Sequence, residues 1–89
     1  MDGRQLTLND GTIIPDGTAG YAQGYLWLYI TGYTEQEAEE TFNNPAKTER
    51  IVFDYGEMQK VYEGFTNCVH IICDSDLCSV CMTKGDENA

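Results

Sequence analysis

An unbroken apolar run at residues 25–30 constrains the fold of this chain more than any other segment. Its aromatic residues, Tyr25, Trp27 and Tyr29, alternate with aliphatic ones. In a β-strand this alternation places the aromatic side chains on one face and the aliphatic side chains on the other. Because both faces are apolar, the run predicts a central strand that is covered on both sides. The aromatic face also suits an interface, where Tyr and Trp are favoured anchors.

Shorter segments around this run predict an antiparallel sheet. Residues 5–8 alternate polar and apolar, and the Asn-Asp-Gly sequence at 9–11 is a hairpin turn that leads into a returning strand at 12–14. The Gly-rich stretch from 17 to 24 predicts a loop. The later predicted strands are 50–55, 58–64, 65–73 and 77–83, with the middle two forming either one long strand or two strands broken at Gly64.

One helix has a clear start signal. Thr34 and Glu37 fit a capping box, in which the threonine accepts from the backbone and the glutamate reaches back. Ala38 and Phe42 form a narrow apolar stripe, and the helix is predicted to end near Pro45. The fold class is therefore α+β: a mostly antiparallel β-sheet with one short helix packed on a face and a C-terminal cysteine-rich hairpin. The length predicts a single domain, 1–89, whose polar residues 84–89 form a frayed tail.

The charge balance indicates which classes of partner the chain can bind. Fifteen acidic residues face five basic ones, for a formal net charge of −10. This balance disfavours direct binding to nucleic acid or to an anionic membrane, because both require a basic face. It favours a large basic protein or a cation as partner. The alternative is that the acidic residues only confer solubility. The predicted partner-binding residues are Glu35, Glu39 and Glu40 on the helix and Asp74 and Asp76 in a turn.

The expected cellular compartment is inferred from the N-terminal residues and from the length of the apolar runs. Residues 1–5 carry no signal-peptide pattern, and the run at 26–30 is too short to span a bilayer. We therefore expect a cytoplasmic protein. In a reducing cytosol, cysteines are more often metal ligands or free thiols than disulfides.

Cysteines cluster near the C-terminal end. Cys68, Cys73, Cys78 and Cys81, with His70 between the first two, give five soft ligands within fourteen residues. Zinc takes four such ligands in structural sites, and a two-residue gap is the usual spacing for two ligands from one loop. The predicted site is one structural zinc ion on the four cysteines, with His70 as a substitute ligand. Buried free thiols and a Cys73–Cys78 disulfide are the alternatives.

The predicted hairpin geometry works against a single metal site. A turn at residues 74–77 places Cys73 opposite Cys78, and it also pairs Ile71 with Val80, Val69 with Met82 and His70 with Cys81. In this register Cys73 and Cys78 lie near the turn, whereas Cys68, His70 and Cys81 lie on the other face. Four ligands on one ion would need a bulge or a last segment that is a loop.

The sequence offers little for catalysis. Cys68 and His70 are a weak match to a thiol–imidazole pair, and no third group to orient the imidazole is evident. Asp74 and Asp76 are typical turn formers rather than acid–base partners. The chain is therefore predicted to bind rather than to catalyse.

Three segments, 6–12, 24–29 and 46–66, resemble small acidic proteins encoded by prophages of Gram-positive bacteria. Some prophage proteins of this size are anti-CRISPR inhibitors of type II systems, and at least one of these binds zinc. The resemblance implies a monomeric or dimeric inhibitor that binds the type II RNA-guided nuclease and prevents DNA loading, where an acidic surface suits the positively charged channel. The competing classes are a small phage head, tail or assembly protein and a zinc-stabilised adaptor in a host pathway.

Overall fold

The computed structural model describes residues 4–85 and contains eight strands and two short helices within that range. In chain order they are β1 (Arg4–Thr7), β2 (Ile13–Pro15), β3 (Thr18–Ala22), β4 (Tyr25–Thr31), α1 (Glu35–Phe42), α2 (Pro45–Thr48), β5 (Arg50–Tyr55), β6 (Gln59–Glu63), β7 (Asn67–Asp74) and β8 (Leu77–Thr83).

The strands form two four-stranded antiparallel sheets. The first sheet has the order β2-β1-β5-β6, and the second sheet has the order β3-β4-β8-β7. Helix α1 packs against β7 and β8. This arrangement confirms the predicted α+β class with its C-terminal cysteine-rich hairpin. Of the two alternatives predicted around Gly64, one long strand or two strands, the structure has two strands, because Gly64 has a φ of 84° and β6 ends before it.

The sheets and α1 share one hydrophobic core. Leu6 of the first sheet, Leu28 of the second sheet and Phe42 of α1 have no solvent exposure and belong to the same cluster of buried residues. Removing these side chains from water is the main favourable contribution to folding. The predicted helical stripe is confirmed, since Ala38 and Phe42 are the buried residues of α1.

The start of α1 follows the predicted capping box. The Glu37 backbone N–H donates to Thr34 Oγ1 at 3.1 Å, and the Thr34 N–H donates to Glu37 Oε1 at 3.0 Å. These two bonds satisfy donors that a helix start leaves without partners. Beyond α1, the Asn44 side chain accepts from the Ala46 N–H at 3.1 Å, and Pro45 occupies the first position of the short α2.

Strand β3 occupies part of the stretch predicted as a loop. It pairs with β4 from Thr18↔Tyr29 to Ala22↔Tyr25. The turn between them consists of Gln23 and Gly24, with φ values of 55° and 86°. Two positive φ values are what a tight two-residue hairpin needs, so Gly24 forms part of a turn, while Gly20 lies within the strand.

The prediction that the 25–30 strand is covered on both sides was wrong. Leu26, Leu28 and Ile30 are fully buried, whereas Tyr25 and Tyr29 are 44% and 41% exposed. The strand is central within its sheet, between β3 and β8, but only one face of that sheet is covered.

The predicted tail at 84–89 lies mostly outside the described residues. Within them, the Gly85 N–H donates to the Gly64 carbonyl oxygen at 2.9 Å. Lys84 Nζ lies 5.2 Å from the centre of the Phe65 ring. These contacts hold the chain beyond β8 against the segment between β6 and β7.

Candidate functional site

The β7–β8 hairpin places the cysteines. Its register pairs Cys73 with Cys78, Ile71 with Val80 and His70 with Cys81, as the sequence predicted. The predicted pairing of Val69 with Met82 was wrong, because a β-bulge lies between Cys68 and His70 and Cys68 is opposite Met82 instead. One extra residue on the bulged strand shifts every residue beyond it to the other face.

The bulge regroups the five predicted ligands without bringing four of them together. Cys68, Cys73 and Cys78 lie on the side of the core, where the cluster of buried residues includes or contacts them. His70 and Cys81 lie on the opposite face of the sheet. The bulge that a shared site would require is therefore present, but it moves Cys68 away from His70.

The predicted zinc site was wrong. Cys73 and Cys78 form a disulfide across the hairpin, which leaves Cys68 and Cys81 as free cysteines. Within residues 4–85 no group of three or more His, Cys, Asp or Glu side chains is placed to hold a metal ion. The disulfide is the alternative that the sequence left open, and it occupies two of the four thiols that the metal would have needed.

The two free thiols are protected rather than activated. Burial raises the pKa of Cys81 above its ordinary value. Burial is also the main cause that raises the pKa of Cys68, with smaller contributions from Cys81 and Glu39. A nucleophilic cysteine shows the opposite shift, because the thiolate is its reactive form.

His70 contacts an aromatic ring. The rings of Trp27 and His70 meet edge to face, with centroids 5.7 Å apart and an angle of 66° between their planes. Trp27 is also directly opposite Cys81, the cross-strand partner of His70, so the three side chains form a row across β4, β8 and β7. This row lies at the centre of the exposed side of the second sheet.

We name that exposed side the outer aromatic face. Three of its members, Tyr29, Leu77 and Ile72, are 41%, 45% and 59% exposed. The face includes Tyr25, Trp27, Tyr29, Leu77, Ser79, Cys81, His70 and Ile72, and the register of the sheet also places Asp74, opposite Leu77, at one end of it. Asp74 is the only acid, lysine or arginine among the paired residues of this sheet on that side, although the chain carries a formal net charge of −10. The sequence indicated the aromatic part of this face but not Leu77 and Ile72.

The predicted partner-binding acids lie around this sheet. Asp74 and Asp76 are exposed at the β7–β8 turn, at one end of the outer aromatic face. Glu35, Glu39 and Glu40 are exposed on α1, which packs against β7 from the core side. Glu39 lines a small hollow of about 230 Å³ together with Cys68, Val69 and His70.

No family model, no curated protein and no solved structure matches this chain. Across residues 4–85, no helix has the length and apolar character needed to cross a membrane.

Proposed function

We propose that this chain is a non-enzymatic binding protein that engages another protein through its outer aromatic face. The observation that carries the proposal is the exposure of Tyr25, Tyr29, Leu77 and Ile72 on one sheet face, whose only charged residue, Asp74, lies at its end. Protein interfaces combine an apolar centre, rich in Tyr and Trp, with a polar rim. The raised pKa values of Cys68 and Cys81 support a binding role over thiol catalysis.

The partner in this proposal is a large basic protein. Asp74 and Asp76 stand beside the apolar face, and the glutamates of α1 add negative charge near β7. Carboxylates at a rim attract a basic surface over long distance and make association sensitive to salt. The resemblance to prophage proteins supports the type II CRISPR nuclease as the particular partner, with inhibition of DNA loading in the bacterial cytosol as the outcome.

A cleavage assay with purified nuclease, guide RNA and target DNA tests this proposal. Excess wild-type protein should reduce cutting, and Tyr29→Ser and Ile72→Ser should weaken that inhibition. Ile13→Ser is the matched control, because Ile13 is 54% exposed but lies on the first sheet. Full cutting at excess protein would exclude the nuclease as the partner.

Charge-reversal variants distinguish the contribution of the acidic rim, Asp74 and Asp76, from that of the outer aromatic face. Asp74→Lys and Asp76→Lys should slow association and flatten its salt dependence, while Asp16→Lys, an exposed acid that follows β2, should not. Equal salt dependence in all variants would refute the assigned rim.

A structural or assembly protein of a phage particle is the second candidate. The outer aromatic face favours it, since pairing of two copies there would bury its exposed apolar side chains and leave Asp74 at the rim. Sedimentation of the wild-type protein distinguishes the two candidates. Concentration-dependent growth beyond a dimer that Tyr29→Ser abolishes would support assembly, whereas a monomer or dimer that binds a basic protein would support the inhibitor.

A further inference from the structure

The four edge strands of the two sheets differ in how well they are protected against pairing with a strand of another chain. Natural edge strands are protected by proline, charge, bulges or short length, because their free backbone groups otherwise pair with other chains. Strand β2 has three residues and contains Pro15, β6 carries Lys60 and Glu63, and β7 contains the bulge at Val69. Strand β3 has none of these features: its five residues are Thr-Ala-Gly-Tyr-Ala.

The register shows which groups of β3 point outward. Ala22 and Tyr25 flank the two-residue turn, and in such hairpins the flanking pair is hydrogen-bonded while the next pair is not. The backbone N–H and C=O groups of Ala19 and Tyr21 therefore point away from β4. They are free to pair with a further strand.

A groove runs along this edge. Ala19, Gly20 and Tyr21 form one side of a space of about 580 Å³. Its other lining residues belong to β5 and β6, namely Phe53, Tyr55, Lys60, Val61 and Tyr62. A second hollow of about 380 Å³ shares Tyr21 and Tyr62 and extends to Phe65 and Lys84. Together we call these the β3 groove.

The β3 groove has a local charge opposite to that of the chain. Two of the five basic residues, Lys60 and Lys84, line it. Glu63 also borders the groove, but its carboxylate lies 3.5 Å from Arg50 Nε. Between residues 4 and 85, neither Lys60 nor Lys84 takes part in an ion pair. An occupant that combines carboxylates with apolar side chains matches both the lysines and the aromatic wall that Phe53, Tyr55 and Tyr62 form.

We propose that an extended segment of a partner protein, bearing acidic and apolar side chains, adds to β3 as a fifth strand of the second sheet. Its backbone pairs with Ala19 and Tyr21, its apolar side chains contact the aromatic wall, and its carboxylates pair with Lys60 and Lys84. This binding mode obtains affinity from backbone hydrogen bonds and specificity from alternate side chains. The site goes beyond the proposed function, since it lies along the β3 edge of the second sheet rather than on its outer aromatic face, and its lysines favour an acidic partner rather than a basic one.

A capped peptide of alternating valine and threonine with an aspartate at each end is the probe. We expect saturable binding by isothermal titration, with amide shifts confined to residues near β3 and β6. Two changes to the probe should each weaken binding at least about tenfold: methylation of alternate amide nitrogens, which removes backbone donors, and replacement of the aspartates by lysine. Equal binding of the methylated peptide would overturn the proposal.

Variants of the protein test the same contacts. Ala19→Pro removes one outward N–H without removing a bond to β4, and it should abolish binding, while Ala19→Ser retains the N–H and should bind normally. Lys60→Glu should weaken binding of the aspartate peptide and improve binding of the lysine peptide. Thermal melts confirm that each variant is folded. The proposal would be refuted if the wild-type protein did not bind the probe peptide. It would also be refuted if two copies of the protein paired through β3 and so excluded the peptide.

Discussion

Lys47 Nζ donates to Asp10 Oδ2 at 2.8 Å and ties the β1–β2 turn to α2. The other Asp10 oxygen accepts from the Thr12 N–H at 3.0 Å. The neighbouring Asn9 adds two bonds to the same helix, from its N–H to the Lys47 carbonyl at 2.9 Å and from its side chain to the Ala46 carbonyl at 3.0 Å. The turn and the helix therefore form one connected unit.

The Asp10 carboxylate should make this unit sensitive to acid. The hydrogen bonds from Lys47 and Thr12 hold the pKa of Asp10 well below its usual range. A lowered pKa means that the stabilisation is present above the unfolded pKa of about 4 and is lost as the pH falls below it. Urea midpoints should therefore drop less between about pH 6 and pH 3 in Asp10→Asn than in the wild type. Asp16→Asn is the control and should behave like the wild type.

Gly17 has no room for a side chain. A β-carbon built there would lie 2.8 Å from Leu6 Cδ1, and Leu6 is fully buried in the core. Gly17→Ala should therefore reduce the free energy of unfolding by about 1–3 kcal/mol through overpacking. Gly20→Ala is the matched control, because its β-carbon would meet no atom within 4 Å. A chemical denaturation series checks both, and equal midpoints would contradict the close contact.

The Cys73–Cys78 disulfide should contribute modestly to stability. The two cysteines are five residues apart, and closing so short a loop in the unfolded chain is worth about 2 kcal/mol in the chain-entropy account. Cys78 Sγ lies 3.4 Å from the Tyr33 carbonyl oxygen, so after reduction the thiol can donate there and offset part of the loss. Reductant should lower the urea midpoint of the wild type but not that of Cys73→Ser. Identical wild-type midpoints with and without reductant would count against the bond.

The sequence predicted local structure well where side chains report directly on it. The α1 capping box and the Cys73↔Cys78 register follow from short patterns and a turn, and both are present. Strand β3 was missed because Gly20 disfavours a strand by propensity, whereas pairing with β4 supplies the bonds that stabilise it.

The candidate sites depended on tertiary contacts that no local pattern reports. Val69 and His70 are both exposed, so alternation alone does not reveal the bulge between Cys68 and His70, and this bulge decides on which face Cys68 lies. Likewise, the alternation at 25–30 identified two apolar faces but not which one the first sheet and α1 would cover. The metal prediction failed because Cys73 and Cys78, which the predicted register already placed opposite each other, form a disulfide. The prediction of a fully covered strand failed because alternation does not show which face is covered.

The two free thiols predict a loss of stability in alkali. Burial raises the pKa of both Cys68 and Cys81 in the folded state, so the unfolded chain releases these protons first. The stabilisation from their neutral forms is complete below the unfolded pKa of about 9 and is lost as the pH rises above it. The wild-type urea midpoint should therefore fall between about pH 8 and pH 10, and Cys68→Ser/Cys81→Ala should flatten this fall. A residual decline belongs to Tyr33, whose pKa burial also raises. Identical alkaline slopes in the two proteins would show that neither thiol is buried in the way that the β7–β8 hairpin requires.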